Sequence, residues 1–282
     1  MQTSQNISSG HGSQRFSLGA KWYDRLWAAF IFFTRLPFWR IYQPPQTAYN
    51  SVVEWWPLTG WLTSSVMAAI LYFGPQLSII NYPLSILFAI IARILLTGAL
   101  HEDGLADFFD GFGGGGTNRE RILSIMKDSH IGTYGVLGLI LYLAMLYLCL
   151  YSMTPLLAAM TVLAADPYAK MLSAQMTQMM PYARTEETSK AHTVYRRMSV
   201  PSGLLLAVQG LLPIGLYFYF LHGVVNWEAI LFTPCLIMYF LYLFVWRRLR
   251  GYTGDCCGAF FLLLELSVYL SVVITMNIEG LY

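Results

Sequence analysis

Seven runs of roughly twenty mostly apolar residues, near 52–73, 77–100, 132–154, 156–179, 202–222, 227–246 and 257–278, narrow what this chain can fold into more than any other feature. A helical residue rises about 1.5 Å and the hydrocarbon layer is about 30 Å thick, so each run is long enough to cross a bilayer as a helix. Lipid offers no partner to backbone N–H and C=O groups, which leaves helices as the natural way for such runs to cross. Of the 282 residues 56% are hydrophobic and only 11% charged, whereas soluble domains carry about 25% charged residues. The expected fold is all-α: a polytopic integral membrane helical bundle with about seven membrane-spanning helices plus an N-terminal re-entrant or interfacial helix. A net charge of +2 argues against nucleic acid as a partner.

Residues 1–20 are polar and lack a signal-peptide core, so they read as a disordered tail, and residues 21–282 as a single membrane-embedded domain. Residues 21–40, "KWYDRLWAAFIFFTRLPFWR", have basic residues at both ends and Arg35 and Pro37 within, which suits a re-entrant or interfacial helix better than a span. Cys149, Cys235, Cys256 and Cys257 show no zinc-like spacing and are expected to serve packing. Of the 17 Lys and Arg residues, only Arg93 and Lys170 fall inside the proposed spans. With alternating spans the remainder gather on one side, which the positive-inside tendency makes cytoplasmic. The expected location is a bacterial-type inner membrane, with the segment 101–131 facing the cytoplasm.

That segment begins "HEDGLADFFDGFGGGG", where Glu102, Asp103, Asp107 and Asp110 place four carboxylates within a few positions. On a helix Asp103, Asp107 and Asp110 share one face. Like charges so close are stabilised by a bound cation, and hard oxygen donors suit Mg²⁺. The alternative is a solvated loop whose charges keep it out of the membrane. The tetraglycine lacks the Lys-Ser/Thr of a phosphate-binding loop and reads as a flexible connector. Thr117 or Asn118 can cap a short helix bearing Arg119, Arg121 and Lys127. Carboxylates with a metal, facing basic residues, are the combination that phosphoryl transfer requires.

"HEDGLADFFDGFGGG" followed by "RILSIMKDSHIGTYG", then "PYAR" at 181–184 and "YTGDCCGA" at 252–259, resembles the cobalamin synthase family, the adenosylcobinamide-GDP ribazoletransferases, in order and spacing over residues 35–265. The resemblance implies a membrane enzyme that joins adenosylcobinamide-GDP to α-ribazole or its 5′-phosphate and releases GMP, with Mg²⁺ as cofactor. It matches Glu102, Asp103, Asp107 and Asp110 to the family's acidic positions, Lys127 and Asp128 to its "KDS" element, Arg184 to the end of "PYAR" and Asp255 to "TGD". His130 and Lys170 stand where the family more often has Arg, and "TEETSKAH" replaces a glycine-rich run after "PYAR".

On that footing Glu102, Asp103, Asp107 and Asp110 form the candidate metal set, with Asp103 and Asp107 as principal ligands and Asp110 as general base. Asp103, Asp107 and Asp110 are the candidate catalytic residues. Lys127, Asp128, Arg184, Asp255 and Arg93 are the candidate substrate-binding residues. Lys127 and Arg184 are suited to a diphosphate, Asp255 is a further metal or substrate ligand, and Arg93 either reaches the acidic cluster or snorkels to the surface. Arg119, Arg196, Arg197, Arg247, Arg248 and Arg250 read first as juxtamembrane anchors. Asp166 and Lys170, one helical turn apart, read as a structural pair, while Glu54 and Glu265 are weaker candidates. The partners implied are the two substrates and the bilayer, with a homo-oligomer or association with other cobalamin-assembly enzymes left open.

Two competing readings are weaker. A CDP-alcohol phosphotransferase asks for Ala-Arg shortly after its first Asp-Gly, and "DGLADFFDG" has Ala106-Asp107 there. An ion-coupled transporter would explain the intramembrane Arg93, Asp166, Lys170 and Glu265, but not the carboxylate stripe beside glycines and basic residues.

Overall fold

Apolar periodicity and capping signals translate into helices throughout the described chain. The computed structural model describes residues 20–77, 80–184 and 195–279, with side chains up to Met276. Residues 1–19 of the expected tail and the segment "TEETSKAH" lie outside the described residues. The elements are α1 (Trp22–Phe33), α2 (Trp56–Gln76), α3 (Tyr82–Thr97), α4 (Leu100–Gly114), α5 (Arg119–Lys127), α6 (Thr133–Tyr151), α7 (Pro155–Ala174), α8 (Met176–Met179), α9 (Val200–Phe220), α10 (Trp227–Leu249) and α11 (Gly254–Glu279). Among the described residues there is no β-strand, only an isolated parallel bridge between Tyr182 and Tyr252. Side chains of Asn81, Asn118, Thr154, Ser199 and Asn226 each accept a first-turn N–H, so five helix starts are fixed by local chemistry.

Four helices, α6, α9, α10 and α11, are long and apolar enough to cross a membrane, and the bent pair α3–α4 makes up to five. The seven expected crossings are thus not reached on this measure, for two physical reasons. First, the run near 77–100 is cut: consecutive left-handed residues, Gly98 at φ 65° and Ala99 at φ 58°, bend α4 by 90° away from α3. Glycine adopts that conformation freely, while at Ala99 it carries a cost of about 1 kcal/mol. Second, α2 and α7 are 21 and 20 residues long but less apolar, because they pack along each other inside the bundle and tolerate Thr59, Thr63, Asp166 and Lys170 where lipid would not. At 12 residues α1 is about 18 Å long, too short to cross.

The centre of the bundle is α11, whose span is 72% buried against 33%, 28% and 22% for α6, α9 and α10. It packs on α4, α7 and α10. Ion pairs satisfy the charges it meets. Arg93 donates to Glu265 at 2.6 Å and to the Tyr142 hydroxyl at 2.7 Å, while the Tyr269 hydroxyl donates to Glu265 at 2.7 Å. Asp166 and Lys170 do pair across one turn, at 2.6 Å, and Thr63 donates to Asp166 at 2.8 Å. In an interior of low dielectric such groups persist only when paired. Cys149, Cys256 and Cys257 are buried in the packing, but Cys235 is exposed on α10.

Candidate active site

The acidic motif forms α4, a continuous helix despite Gly104, Gly111 and Gly113. Its glycines are packing surfaces. A Cβ on Gly115 would come within 2.5 Å of the Gly111 carbonyl oxygen and of an Ile122 side-chain carbon, and one on Gly113 within 2.5 Å of the Tyr134 ring. The connector expected from the tetraglycine is therefore shortened: Gly113 lies within α4 and Gly115 packs against Ile122 of α5, while Gly116, with open space around it, belongs to the turn between the two helices.

The four carboxylates of α4 have different surroundings. Asp110 is buried, and its two oxygens accept the backbone N–H groups of Gly132 at 2.7 Å and Gly135 at 2.8 Å. These belong to the first turn of α6, which has no side-chain cap of its own, so Asp110 caps α6 from a neighbouring helix. Glu102 points into the bundle, close enough to Arg93 and Tyr142 to interact electrostatically, and its Oε2 has no hydrogen-bond partner among the described residues. Asp107 is half-buried, and Asp103 is exposed. Among the described residues no three His, Cys, Asp or Glu side chains come together as a metal-binding group.

Asp103 instead opens into a cavity of about 150 Å³ between α4 and the start of α11, which Arg184, Gly254 and Asp255 also line. Gly104 permits that closeness, since its bare Cα lies against the Asp255 backbone. Thr253 caps α11 by accepting the Cys256 N–H at 3.2 Å, and the positive end of this 26-residue helix opens beside the cavity. The Arg184 side chain, 4% exposed, lies 3.8 Å from Asp255 and donates to the Leu123 carbonyl at 3.3 Å. A guanidinium, a helix N-terminus and two carboxylates on one cavity can hold phosphate oxygens and a hard cation together.

Other residues singled out from sequence lie elsewhere. Arg93 is held by Glu265 and Tyr142 inside the bundle, where it also interacts with Glu102 of the acidic helix, and it does not line the cavity. Lys127 and Asp128 are exposed at the end of α5 and do not line it either. Asp128 accepts from the His130 backbone N–H at 3.1 Å and contacts its ring Nδ1 at 2.7 Å. This pairing holds the Asp128 carboxyl below its ordinary range and raises the His130 imidazole above its own. Arg119 donates to the carbonyls of Leu249 at 2.8 Å and Ala183 at 2.7 Å, tying α5 to the end of α10 and to the segment at Ala183.

The remaining wall is aromatic and was not visible in sequence. Phe33, Trp56 and His101 lie nearly parallel in the cavity wall, with Tyr182 and Tyr195 also lining it. The only available signal for His101 was its place beside the acidic motif. Phe33 and Trp56 looked like ordinary membrane aromatics.

Comparison with known proteins follows the same residues. The family model "Cobalamin-5-phosphate synthase" matches residues 25–273. The adenosylcobinamide-GDP ribazoletransferase of Leptospira interrogans serogroup Icterohaemorrhagiae serovar copenhageni is 32% identical over 259 residues, covering 90% of this chain and 97% of the relative. That of Vibrio cholerae serotype O1 (strain O395) is 34% identical over 252 residues, 89% and 94% of the two chains, and that of Shewanella baltica OS155 is 32% identical over 258 residues, 90% and 95%. No solved structure matches the chain at a significant level.

Proposed function

This chain belongs to the cobalamin-5-phosphate synthase family, and from that membership we propose that the cavity between α4 and α11 is where it joins adenosylcobinamide-GDP to α-ribazole or its 5′-phosphate, releasing GMP. The chain is a membrane transferase of late cobalamin biosynthesis. Neither a lipid-headgroup enzyme nor a transporter finds support among its relatives. The observation that carries the site is the meeting of Asp103, Arg184, Asp255 and the α11 N-terminus in one cavity, although 152 residues of sequence separate the two aspartates (255 minus 103).

The reaction forms a bond from a ribose hydroxyl of α-ribazole to the phosphorus attached to cobinamide and breaks the phosphorus–oxygen bond to GMP. Arg184 and the α11 N-terminus hold the phosphate oxygens as charge moves towards the leaving group. The hydroxyl proton passes to a carboxylate. Because both Asp110 oxygens are engaged by α6, the α4 carboxylate proposed for the base role is Asp107, one turn along from Asp103 and not itself among the residues that line the cavity. Asp110 then acts as the residue that positions α4 against α6.

The donor set fits Mg²⁺, which binds through one or two carboxylates completed by substrate phosphates and water. Asp103 and Asp255 line the cavity. Asp103 and Asp255 would hold the ion, which supplies charge neutralisation at the phosphate oxygens.

The cavity is assigned to the cytoplasmic face. Arg119, Arg121, Lys127, Arg184 and Arg247, Arg248 and Arg250 belong to the segments at this end of the bundle, where Arg119 joins α5 to Leu249 and Ala183 and Arg248 donates to the Gly116 carbonyl. Seven crossings are retained in this reading, with α2 and α7 added as shielded spans of about 30 Å. Purified protein in liposomes, given adenosylcobinamide-GDP, α-ribazole and Mg²⁺, is expected to release GMP in step with corrinoid product. No GMP with Mg²⁺, Mn²⁺ or Co²⁺ overturns the reading.

A further inference from the structure

The cavity is lined by two unlike groups of residues: Asp103, Arg184, Gly254 and Asp255, and the rings of Phe33, Trp56 and His101. The three rings come from α1, the start of α2 and α4, yet they are close to parallel. Centroids are 5.2 Å apart at 10° for Phe33 and Trp56, 5.8 Å at 19° for Trp56 and His101, and 6.3 Å at 10° for Phe33 and His101. The Phe261 ring packs edge-on against His101 at 4.7 Å and fixes its plane. Aromatic rings and charged groups lining one cavity suit a ligand that is aromatic at one end and polar at the other. That is the shape of a nucleoside or nucleotide.

The proposed reaction brings two such groups, guanosine and ribazole, and hydrogen-bonding capacity separates them. Guanine carries a dense edge of donors and acceptors, and each one left unpaired in a dry site costs about 1–3 kcal/mol. The aromatic wall is bordered by Phe32, Val53 and Leu100, which offer no side-chain partner. The buried nitrogens of this cavity that have no hydrogen-bond partner among the described residues are Trp56 Nε1 and His101 Nε2, while the Thr177 hydroxyl is already engaged with the Ala174 carbonyl and Gln178, and Tyr182 and Tyr195 bring the other hydroxyls. A benzimidazole-type base has a single free ring nitrogen and otherwise apolar edges. One N–H donor satisfies it.

We propose that Phe33, Trp56 and His101 form the seat for the weakly polar bicyclic base of the ribazole acceptor, so that its ribose faces Asp103 and the guanosine of the other substrate binds elsewhere. The inference rests on the transferase reading and adds which substrate this cavity takes. The side chains would be specificity-determining through stacking and one hydrogen bond, with no part in bond making.

The test uses the full-length protein in lipid nanodiscs, with each substrate varied in turn. Trp56→Leu removes both ring and donor and is expected to raise KM for α-ribazole about tenfold or more, while KM for adenosylcobinamide-GDP stays within about twofold. Trp56→Phe keeps a ring and should give a smaller rise. Binding to the unaltered protein supplies a check that does not depend on a folded variant: α-ribazole should bind in the absence of Mg²⁺, and guanosine at equal concentration should not displace it. A rise in KM confined to the corrinoid substrate, no change in either KM, or displacement by guanosine overturns the inference. Absence of GMP release from the unaltered protein with every divalent ion overturns the transferase reading instead, and the two failures are separately visible.

Discussion

Gly104 of α4 rests on the backbone of Asp255 in α11: a methyl group at Gly104 would come to 3.0 Å from the Asp255 carbonyl oxygen and 3.2 Å from its Cα. Backbone cannot swing aside as a flexible side chain can, so Gly104→Ala must push the two helices apart. Overpacking of this kind costs about 1–3 kcal/mol. Because the contact sets the spacing of Asp103 and Asp255, GMP release should fall about tenfold or more in a protein that still purifies as a folded species. Unchanged kinetics in Gly104→Ala would show that this contact does not hold the site together.

Asp103 and Asp110 share a helix face but should fail in different ways. Asp103 is exposed on the cavity, so Asp103→Asn should cut turnover about a hundredfold or more while leaving thermal unfolding in detergent nearly unchanged. Asp110→Asn replaces an acceptor oxygen by an amide that faces a backbone N–H, with a cost of about 1–3 kcal/mol and a lower unfolding temperature. The opposite pattern, a stable Asp110→Asn and an unstable Asp103→Asn, would refute these assignments.

Arg93 and Glu265 are both fully enclosed, and removing one strands the other. Arg93→Met should destabilise by about 3–5 kcal/mol, whereas Arg93→Met combined with Glu265→Leu should recover much of the loss because the Glu265 carboxylate is no longer left without its partner. Denaturation of both variants measured under one set of conditions decides it. A double variant less stable than Arg93→Met would mean that the pair is not the relevant unit.

The exposed pair Asp128 and His130 gives a pH signature. His130 is raised above its ordinary value of 6.5 by Asp128, so its share of the interaction is present below that value and is lost as pH rises through the raised folded pKa. Asp128 is lowered from 3.8, so its share is present above that value and is lost as pH falls through the depressed folded pKa. The pair is therefore fully formed between about pH 4 and 6.5. NMR titration should place His130 above 6.5, and Asp128→Asn should return it towards the ordinary value. An unmoved His130 resonance in Asp128→Asn would break the link.

Local chemistry was legible along the chain itself. Apolar runs announced helices, Asn118 its cap, the four-residue spacing of Asp166 and Lys170 their pairing, and the acidic and "KDS" motifs the family. Each of these depends on residues within a few turns of each other, where helical periodicity alone sets direction. The bend after Gly98 was not legible, because a glycine within an apolar run can as well be passed over as used. Nor could the lower apolar content of α2 and α7 say, from sequence, that they tolerate polar groups because protein surrounds them.

The site was decided at longer range. Spacing placed Asp103, Asp107 and Asp110 on one stripe, and only tertiary packing gave Asp110 to the α6 N-terminus, turned Glu102 towards Arg93 and left Asp103 facing Asp255 and Arg184. The sequence by itself determined an all-helical membrane protein with a carboxylate helix, since composition and periodicity act residue by residue along one strand of chain, and its motifs carried the resemblance to a transferase family. Which carboxylate meets which partner, and that Phe33, Trp56 and His101 share one wall, was decided by how the helices pack, because contacts between distant segments leave no period in the sequence.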